Sequence, residues 1–207
     1  MIIFDLDGTL ADCEHRKHFV DPKKRSPNGL FMNENKYENG EPTDIFFIRD
    51  EETFETTNKI WKPDWKSFYE ACSEDKPIIP TIHIFHSLYF ASPRGKYFFD
   101  NVQIWSGRCE SVRKKTLRWL NKHIFSVQML DRVTLKMRPI GDYTPDDQLK
   151  ERWLNERCAD YMSSKIQNKI PIRHDIEYVF DHSEKCCEMW RRHGIFVFNC
   201  FQHEEEF

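Results

Sequence analysis

The first nine residues, Met1-Ile2-Ile3-Phe4-Asp5-Leu6-Asp7-Gly8-Thr9, constrain the fold more than any other stretch. Four apolar residues stop at a carboxylate, followed by a spacer, a second carboxylate, a glycine and a hydroxyl. A short apolar run closed in this way reads as a buried strand of a parallel sheet. In extended chain, residues two apart point the same way. Asp5 and Asp7 are therefore expected on one side of the strand's C-terminal end, where open α/β sheets collect ligands. Two carboxylates placed so close repel each other unless a cation or a proton lies between them. Gly8 permits positive φ and a close approach of backbone N–H groups to a phosphate. A turn at Asp7-Gly8, with Asp5 as a helix cap, is the competing reading of the bare D-x-D-G.

Further strands are expected at 102–105, near 133–137, at 176–180 and at 195–198, and helices over 63–73, 80–92, 110–123, 144–169 and 184–193. Trp65, Phe68 and Tyr69 share one helical face, and Val112, Leu117 and Leu120 another. Thr144-Pro145 supplies an N-cap and then proline at the first helical position, and Gly194 supplies a stop. Strands alternating with helices imply an α/β fold with a doubly wound parallel sheet.

Three more strand or helix ends carry chemistry-bearing residues. The strand over 102–105 runs into Ser106-Gly107-Arg108, where hydroxyl, backbone N–H groups and guanidinium suit a phosphoryl group. Asp146 and Asp147 sit where the helix dipole favours anions, so capping accounts for both. Lys150, one turn on, runs against that dipole, and a buried carboxylate would be a reason for it. The strand over 176–180 ends in Asp181-His182, an acid that could complete a cation site with Asp5. Arg16, one short loop from the first acid pair, suits a phosphate, with surface solvation an equal alternative. His83 and His86 read as polar positions of a helix rather than as a metal pair.

Residues 21–60 break the alternation. Asp21-Pro22 and Ser26-Pro27-Asn28-Gly29 are turn signals. Two apolar segments, 30–32 and 44–48, flank a polar stretch ending in Asn39-Gly40. A hairpin, flap or small cap inserted after strand 1 is expected here, within a single domain over 1–207; a disordered loop is the alternative, against which the apolar run 45–48 counts.

The net charge is −3, so contact with a polynucleotide would have to come from local basic runs at 23–25, 113–115 or 191–192. No apolar run approaches the roughly 18 residues of a membrane span, and no signal peptide is expected before a strand that begins at residue 1. Seven cysteines without a C-x-x-C pair point to free thiols in a reducing cytoplasm. No G-x-x-x-x-G-K-[ST] string occurs, so no kinase half is expected in this sequence.

Taken in order, Asp5-x-Asp7, Ser106, Lys150 and Asp181 resemble the four motifs of the haloacid dehalogenase (HAD) phosphohydrolase superfamily. Within it the chain is most similar to the phosphatase domain of phage-type polynucleotide kinase–phosphatases. The strings that carry this are Trp105-Ser106-Gly107-Arg108, Arg138-x-x-Gly141-Asp142-x-x-x-Asp146-Asp147-x-x-Lys150 and Glu188-Met189-Trp190-Arg191. The insertion lies outside the resemblance. The resemblance implies a HAD-like Rossmannoid fold and a Mg²⁺-dependent phosphomonoesterase acting through an aspartyl-phosphate. Asp5 would be the nucleophile and Asp7 the general acid and base, with Ser106 and Lys150 holding phosphoryl oxygens. Thr9, Arg16, Gly107, Arg108 and Arg138 would bind substrate, and Asp146 would hold the basic network in place. Mg²⁺ would sit on Asp5, the Asp7 carbonyl and Asp181. The resembling proteins carry two adjacent acids at the fourth motif. Here the second is His182, which implies weaker Mg²⁺ binding and tolerance of Mn²⁺ or Co²⁺.

The implied substrate is the 3′-phosphate of a polynucleotide end. A 5′(3′)-nucleotidase acting on nucleoside monophosphates is the alternative, and a non-catalytic HAD-fold scaffold, favoured only by His182, is a third reading. The implied location is the cytoplasm (a host's, if the chain is phage-encoded), and the sequence gives no ground for inferring an obligate protein partner.

Overall fold

In the computed structural model, residues 1–21, 63–91, 102–125, 129, 133–163 and 176–200 are described, together with five short strands between 30 and 60. The chain divides into two compact units, one of residues 1–13 and 73–207 and one of residues 14–72.

In chain order the strands are β1 (Ile2–Phe4), β2 (Ala11–Asp12), β3 (Leu30–Met32), β4 (Tyr37–Glu38), β5 (Glu41–Pro42), β6 (Ile45–Arg49), β7 (Thr56–Ile60), β8 (Lys76–Pro77), β9 (Val102–Cys109), β10 (Thr134–Arg138), β11 (Tyr178–Asp181) and β12 (Phe196–Asn199). The α-helices are α1 (Trp65–Glu70), α2 (Ile79–Ala91), α3 (Arg113–His123), α4 (Asp146–Ser163) and α5 (Glu184–Arg192).

The larger unit is built on a five-stranded sheet of order β10-β9-β1-β11-β12, with every neighbouring pair parallel. The expected doubly wound α/β arrangement is what forms, and the N-terminal strand lies at its centre. Alternation along β1 sends Ile2 and Phe4 to one face and Met1 and Ile3 to the other. On the first face, Ile2, Phe4, Ile104 and Phe180 pack with Ile82 and Phe85 of α2 and Trp119 and Leu120 of α3. On the second, Met1, Ile3, Trp105 and Val179 pack with Leu149 and Trp153 of α4 and Met189 and Trp190 of α5. Trp105 stands at 5.8 Å, centroid to centroid, from both Trp153 and Trp190.

The elements differ from the sequence expectation mainly at their ends. β9 runs on through Ser106-Gly107-Arg108 instead of stopping at Trp105, because a bulge absorbs two residues there. Met137 pairs with Ser106, and the next residue, Arg138, pairs with Cys109. The helix expected from 110 opens as a 3₁₀ turn, Glu110–Val112, before α3. The expected extension of α4 from 164 to 169 lies outside the described residues. Gly194 takes φ 70° directly after α5, as a helix stop requires.

In the smaller unit, β3, β6 and β7 form an antiparallel sheet and β4 pairs with β5. A 3₁₀ helix, Glu14–Phe19, and α1 complete it. Asp64 caps α1, accepting the Ser67 N–H at 2.9 Å. The unit spans residues 14–72 and contains the stretch 21–60.

Candidate active site

β1 ends where Asp5 donates its N–H to the Phe180 carbonyl of β11 at 2.9 Å. That bond sets Asp5 beside Asp181, the last residue of β11. The chain then folds back sharply, with the Leu6 carbonyl accepting the N–H groups of Thr9, Leu10 and Ala11. Gly8 makes this turn possible with φ 76°. An added Cβ there would stand 2.5 Å from Cγ and 2.6 Å from Nε2 of His182, so the imidazole lies flat over the glycine.

Lys150, from the first turns of α4, enters between the two acids. Its Nζ donates to Asp5 Oδ1 at 2.9 Å and to Asp181 Oδ2 at 2.8 Å. All three side chains are buried. Burial pulls the Lys150 pKa down, but Asp181 and Asp5 outweigh it and hold it well above the ordinary lysine value. Burial likewise opposes ionisation of Asp5, and Lys150 and then His182 outweigh it, leaving Asp5 below the usual carboxylate range. Asp181 goes the other way, since burial raises it more than Lys150 lowers it.

The remaining oxygens are also engaged. Asp5 Oδ2 lies 3.1 Å from His182 Nδ1 and accepts the Thr9 hydroxyl at 3.5 Å. Asp181 Oδ1 accepts the Ser183 N–H, and Oδ2 accepts Trp190 Nε1. Asp5, Asp181 and His182 each offer a ligand atom within 4.8 Å of the others.

Asp7 is held from a different direction. Arg108 donates to its Oδ1 from Nε at 2.8 Å and from Nη2 at 2.5 Å. The same Nη2 donates to Asp75 Oδ2 at 2.5 Å. Arg108 and Asp75 are buried and Asp7 is partly exposed. The bulge in β9 aims this guanidinium inward, and the Ser106 hydroxyl oxygen accepts the Arg108 N–H at 3.1 Å. Trp119 anchors the far end by donating to the Asp75 carbonyl at 2.7 Å.

Arg138 is also turned inward. It donates from Nε to the Gly107 carbonyl at 2.9 Å, from Nη1 to the Thr144 carbonyl at 2.5 Å and from Nη2 to Asp146. Gly107 has no room for a side chain, because an added Cβ would lie 2.5 Å from both Asp146 oxygens. Arg16 belongs to the smaller unit, where its Nη1 donates to the Phe68 carbonyl at 3.2 Å and its guanidinium lies 4.1 Å from the Phe68 ring centroid.

Asp5, Thr9, Lys150, Asp181 and His182 thus form one cluster, and Asp7, Ser106 and Arg108 a second beside it. Gly107, Arg138 and Asp146 form a third. The three arginines expected to grip substrate are all buried and bonded to protein groups. Asp75 was not picked out in the sequence, where it sits in the unremarkable string Ser73-Glu74-Asp75-Lys76; only tertiary structure brings it to Arg108.

A strand-end aspartate ion-paired to a buried lysine, on a parallel sheet with helices on both faces, is the framework of a HAD-type phosphatase. The family model described as the polynucleotide kinase PNKP phosphatase domain matches residues 66–206, and the chain belongs to that family. Comparison with curated proteins gave no match. Among solved structures, "Structure of the Pnkp1/Rnl/Hen1 RNA repair complex" is similar at TM-score 0.50 and 20% identity, over 99% of this chain and 43% of that one. "Structure of Pnkp1/Rnl/Hen1 complex" gives TM-score 0.47 and 20% identity, over 96% and 45%. At that identity the likeness concerns the fold, and this chain spans less than half the length of those it matches.

Proposed function

We propose that the protein is a phosphomonoesterase that removes 3′-phosphates from polynucleotide ends through an aspartyl-phosphate on Asp5. The observation that carries this is the Lys150 ammonium bonded to both Asp5 and Asp181. It keeps a buried carboxylate ionised and therefore nucleophilic. Membership of the polynucleotide kinase phosphatase family supports the substrate class.

In this reading the ionised Asp5 oxygen attacks phosphorus and the bond to the 3′-oxygen breaks. Asp7 gives its proton to the departing hydroxyl. Water then attacks the phosphorus of the aspartyl-phosphate, Asp7 takes the water's proton, and inorganic phosphate leaves. Arg108, by fixing Oδ1 of Asp7, orients the carboxyl for its acid and base work. Lys150 and Ser106 receive phosphoryl oxygens.

The donor set fits a divalent cation, with carboxylate oxygens of Asp5 and Asp181 and an imidazole nitrogen of His182. One lysine cation is shared by two buried carboxylates, so the three groups together carry one more negative than positive charge when all are ionised. Bound there, Mg²⁺ would screen the repulsion between carboxylate and phosphate. The imidazole in place of a second acid favours tolerance of Mn²⁺ or Co²⁺.

The insertion at 21–60 is assigned the role of a flap or small cap. No described helix is long and apolar enough to cross a membrane, and a cytoplasmic setting is proposed from the free thiols.

Phosphate release from an oligonucleotide ending in a 3′-phosphate, beside a set of nucleoside monophosphates, tests the assignment. Release from the oligonucleotide, abolished in Asp5→Asn, is expected. Release from mononucleotides alone would make the protein a nucleotidase instead.

A further inference from the structure

Arg108 and Arg138 are bonded to protein groups, and a nucleotide presents a base as well as a phosphate for recognition. The loop from Pro139 to Pro145, between β10 and α4, stands on both sides of Gly107. Arg138, just before it, donates to the Gly107 carbonyl, and the Asp146 carboxylate, just after it, occupies the space a Gly107 side chain would need. It therefore rises from the segment that carries Ser106.

The loop is stiff. Asp142 donates its N–H to the Pro139 carbonyl at 3.2 Å, and Gly141 has φ 80°. Those features make Pro139–Asp142 a type II turn with Ile140 at its corner. Asp142 Oδ1 accepts the Thr144 N–H at 2.9 Å, and Asp142 is paired with Arg152. Arg138 holds the Thr144 and Asp142 carbonyls from beneath.

The loop's polar groups are thus turned upon one another, while its two large apolar side chains face outward. Tyr143 is 85% exposed and Ile140 73%. Lone exposed apolar residues are ordinary. Here, however, an aromatic ring sits on a pinned turn next to the phosphate-handling segment, where little conformational entropy remains to be lost on binding.

We infer that Tyr143, with Ile140 beside it, is the platform on which a nucleobase of the substrate's 3′-terminal end stacks. The inference rests on the reading of the site as a polynucleotide-end phosphatase. Stacking on an aromatic ring tolerates every base, so the platform confers preference for nucleotides over sugar phosphates without sequence preference. Tyr143 is a specificity residue and has no part in the chemical steps.

The test compares two 3′-phosphorylated oligonucleotides, one with a normal terminal nucleotide and one abasic at its last two positions. Tyr143→Ala, Tyr143→Phe and the wild type are assayed on each. Loss of a base stack corresponds to roughly a ten-fold rise in KM. The rise is expected for Tyr143→Ala on the normal substrate, with kcat nearly unchanged, Tyr143→Phe close to wild type, and little effect on the abasic substrate. Equal KM for Tyr143→Ala and wild type on the normal substrate would overturn the platform alone. An equal loss on both substrates would also overturn it, since the ring would then not be reading a base. Failure of the wild type to release phosphate from either oligonucleotide would overturn the functional reading and the platform with it.

Discussion

At the scale of single residues, Lys150 carries the heaviest electrostatic burden, because it is the shared counter-charge of two buried carboxylates. Removing one partner of a buried pair costs about 3–5 kcal/mol, since the other charge is left unpaired. Lys150→Met should lower stability in urea by an amount of that order and abolish phosphate release. Loss of activity with unchanged stability would mean that the pair does not hold the fold. Asp75 makes a subtler case. It touches Arg108, which touches Asp7, so its effect on the reaction is one of position. Asp75→Asn should lower kcat about ten-fold or more on an oligonucleotide 3′-phosphate, because protonating the leaving oxygen contributes 10²–10⁴ in such reactions. In the single-turnover burst it should leave release of an aryl leaving group, which needs no proton, nearly unaffected, whereas hydrolysis of the aspartyl-phosphate, where Asp7 acts as base, slows for both substrates. An equal loss of the burst on both would point to general disorder of the site. His182 stands where the resemblance leads one to expect a second acid. His182→Asp should raise Mg²⁺ affinity relative to Mn²⁺, read by calorimetry on the protein without substrate, and an unchanged ratio would remove the imidazole from the ligand set.

At the scale of elements, α4 and α5 are tied by a surface pair as well as by tryptophans. Glu151 on α4 lies 2.6 Å from His193 at the end of α5, and Arg192 lies 3.6 Å from the same oxygen. The hydrogen bond with His193 holds Glu151 below its usual pKa. A depressed acid stabilises the fold above its ordinary pKa and loses that contribution as pH falls through the folded value. Glu151→Gln should therefore cost at most about 1 kcal/mol near neutrality, as exposed pairs do. The difference from wild type should vanish in acid below the ordinary glutamate range. A constant difference down to pH 3 would contradict an ionic origin. The Thr144-Pro145 signal and the misplaced charge of Lys150 were legible in the sequence because helix starts have local chemistry. The bulge in β9 was not, since Gly107 and Arg108 leave the ladder only to meet Asp146, Asp7 and Asp75, all distant in the chain. For the same reason the protein partners of Arg108 and Arg138 were not legible, since Asp75 and Asp146 reach them only in the folded chain.

At the scale of the whole molecule, the parallel sheet converts distant motifs into neighbours. The family match begins at residue 66, so Asp5 and Asp7 lie outside it. Their place in the site comes from β1 lying between β9 and β11. Asp5→Asn should leave the far-ultraviolet circular dichroism unchanged while eliminating turnover. The most direct test of the central claim is to trap the intermediate. Protein quenched during turnover of a 3′-phosphorylated oligonucleotide with a divalent cation would be reduced with borohydride, which converts an acyl phosphate to an alcohol, and then mapped by peptide mass spectrometry. The account predicts homoserine at position 5 and nowhere else, absent without substrate. Turnover with unmodified Asp5, or reduction at a different carboxylate, would contradict it.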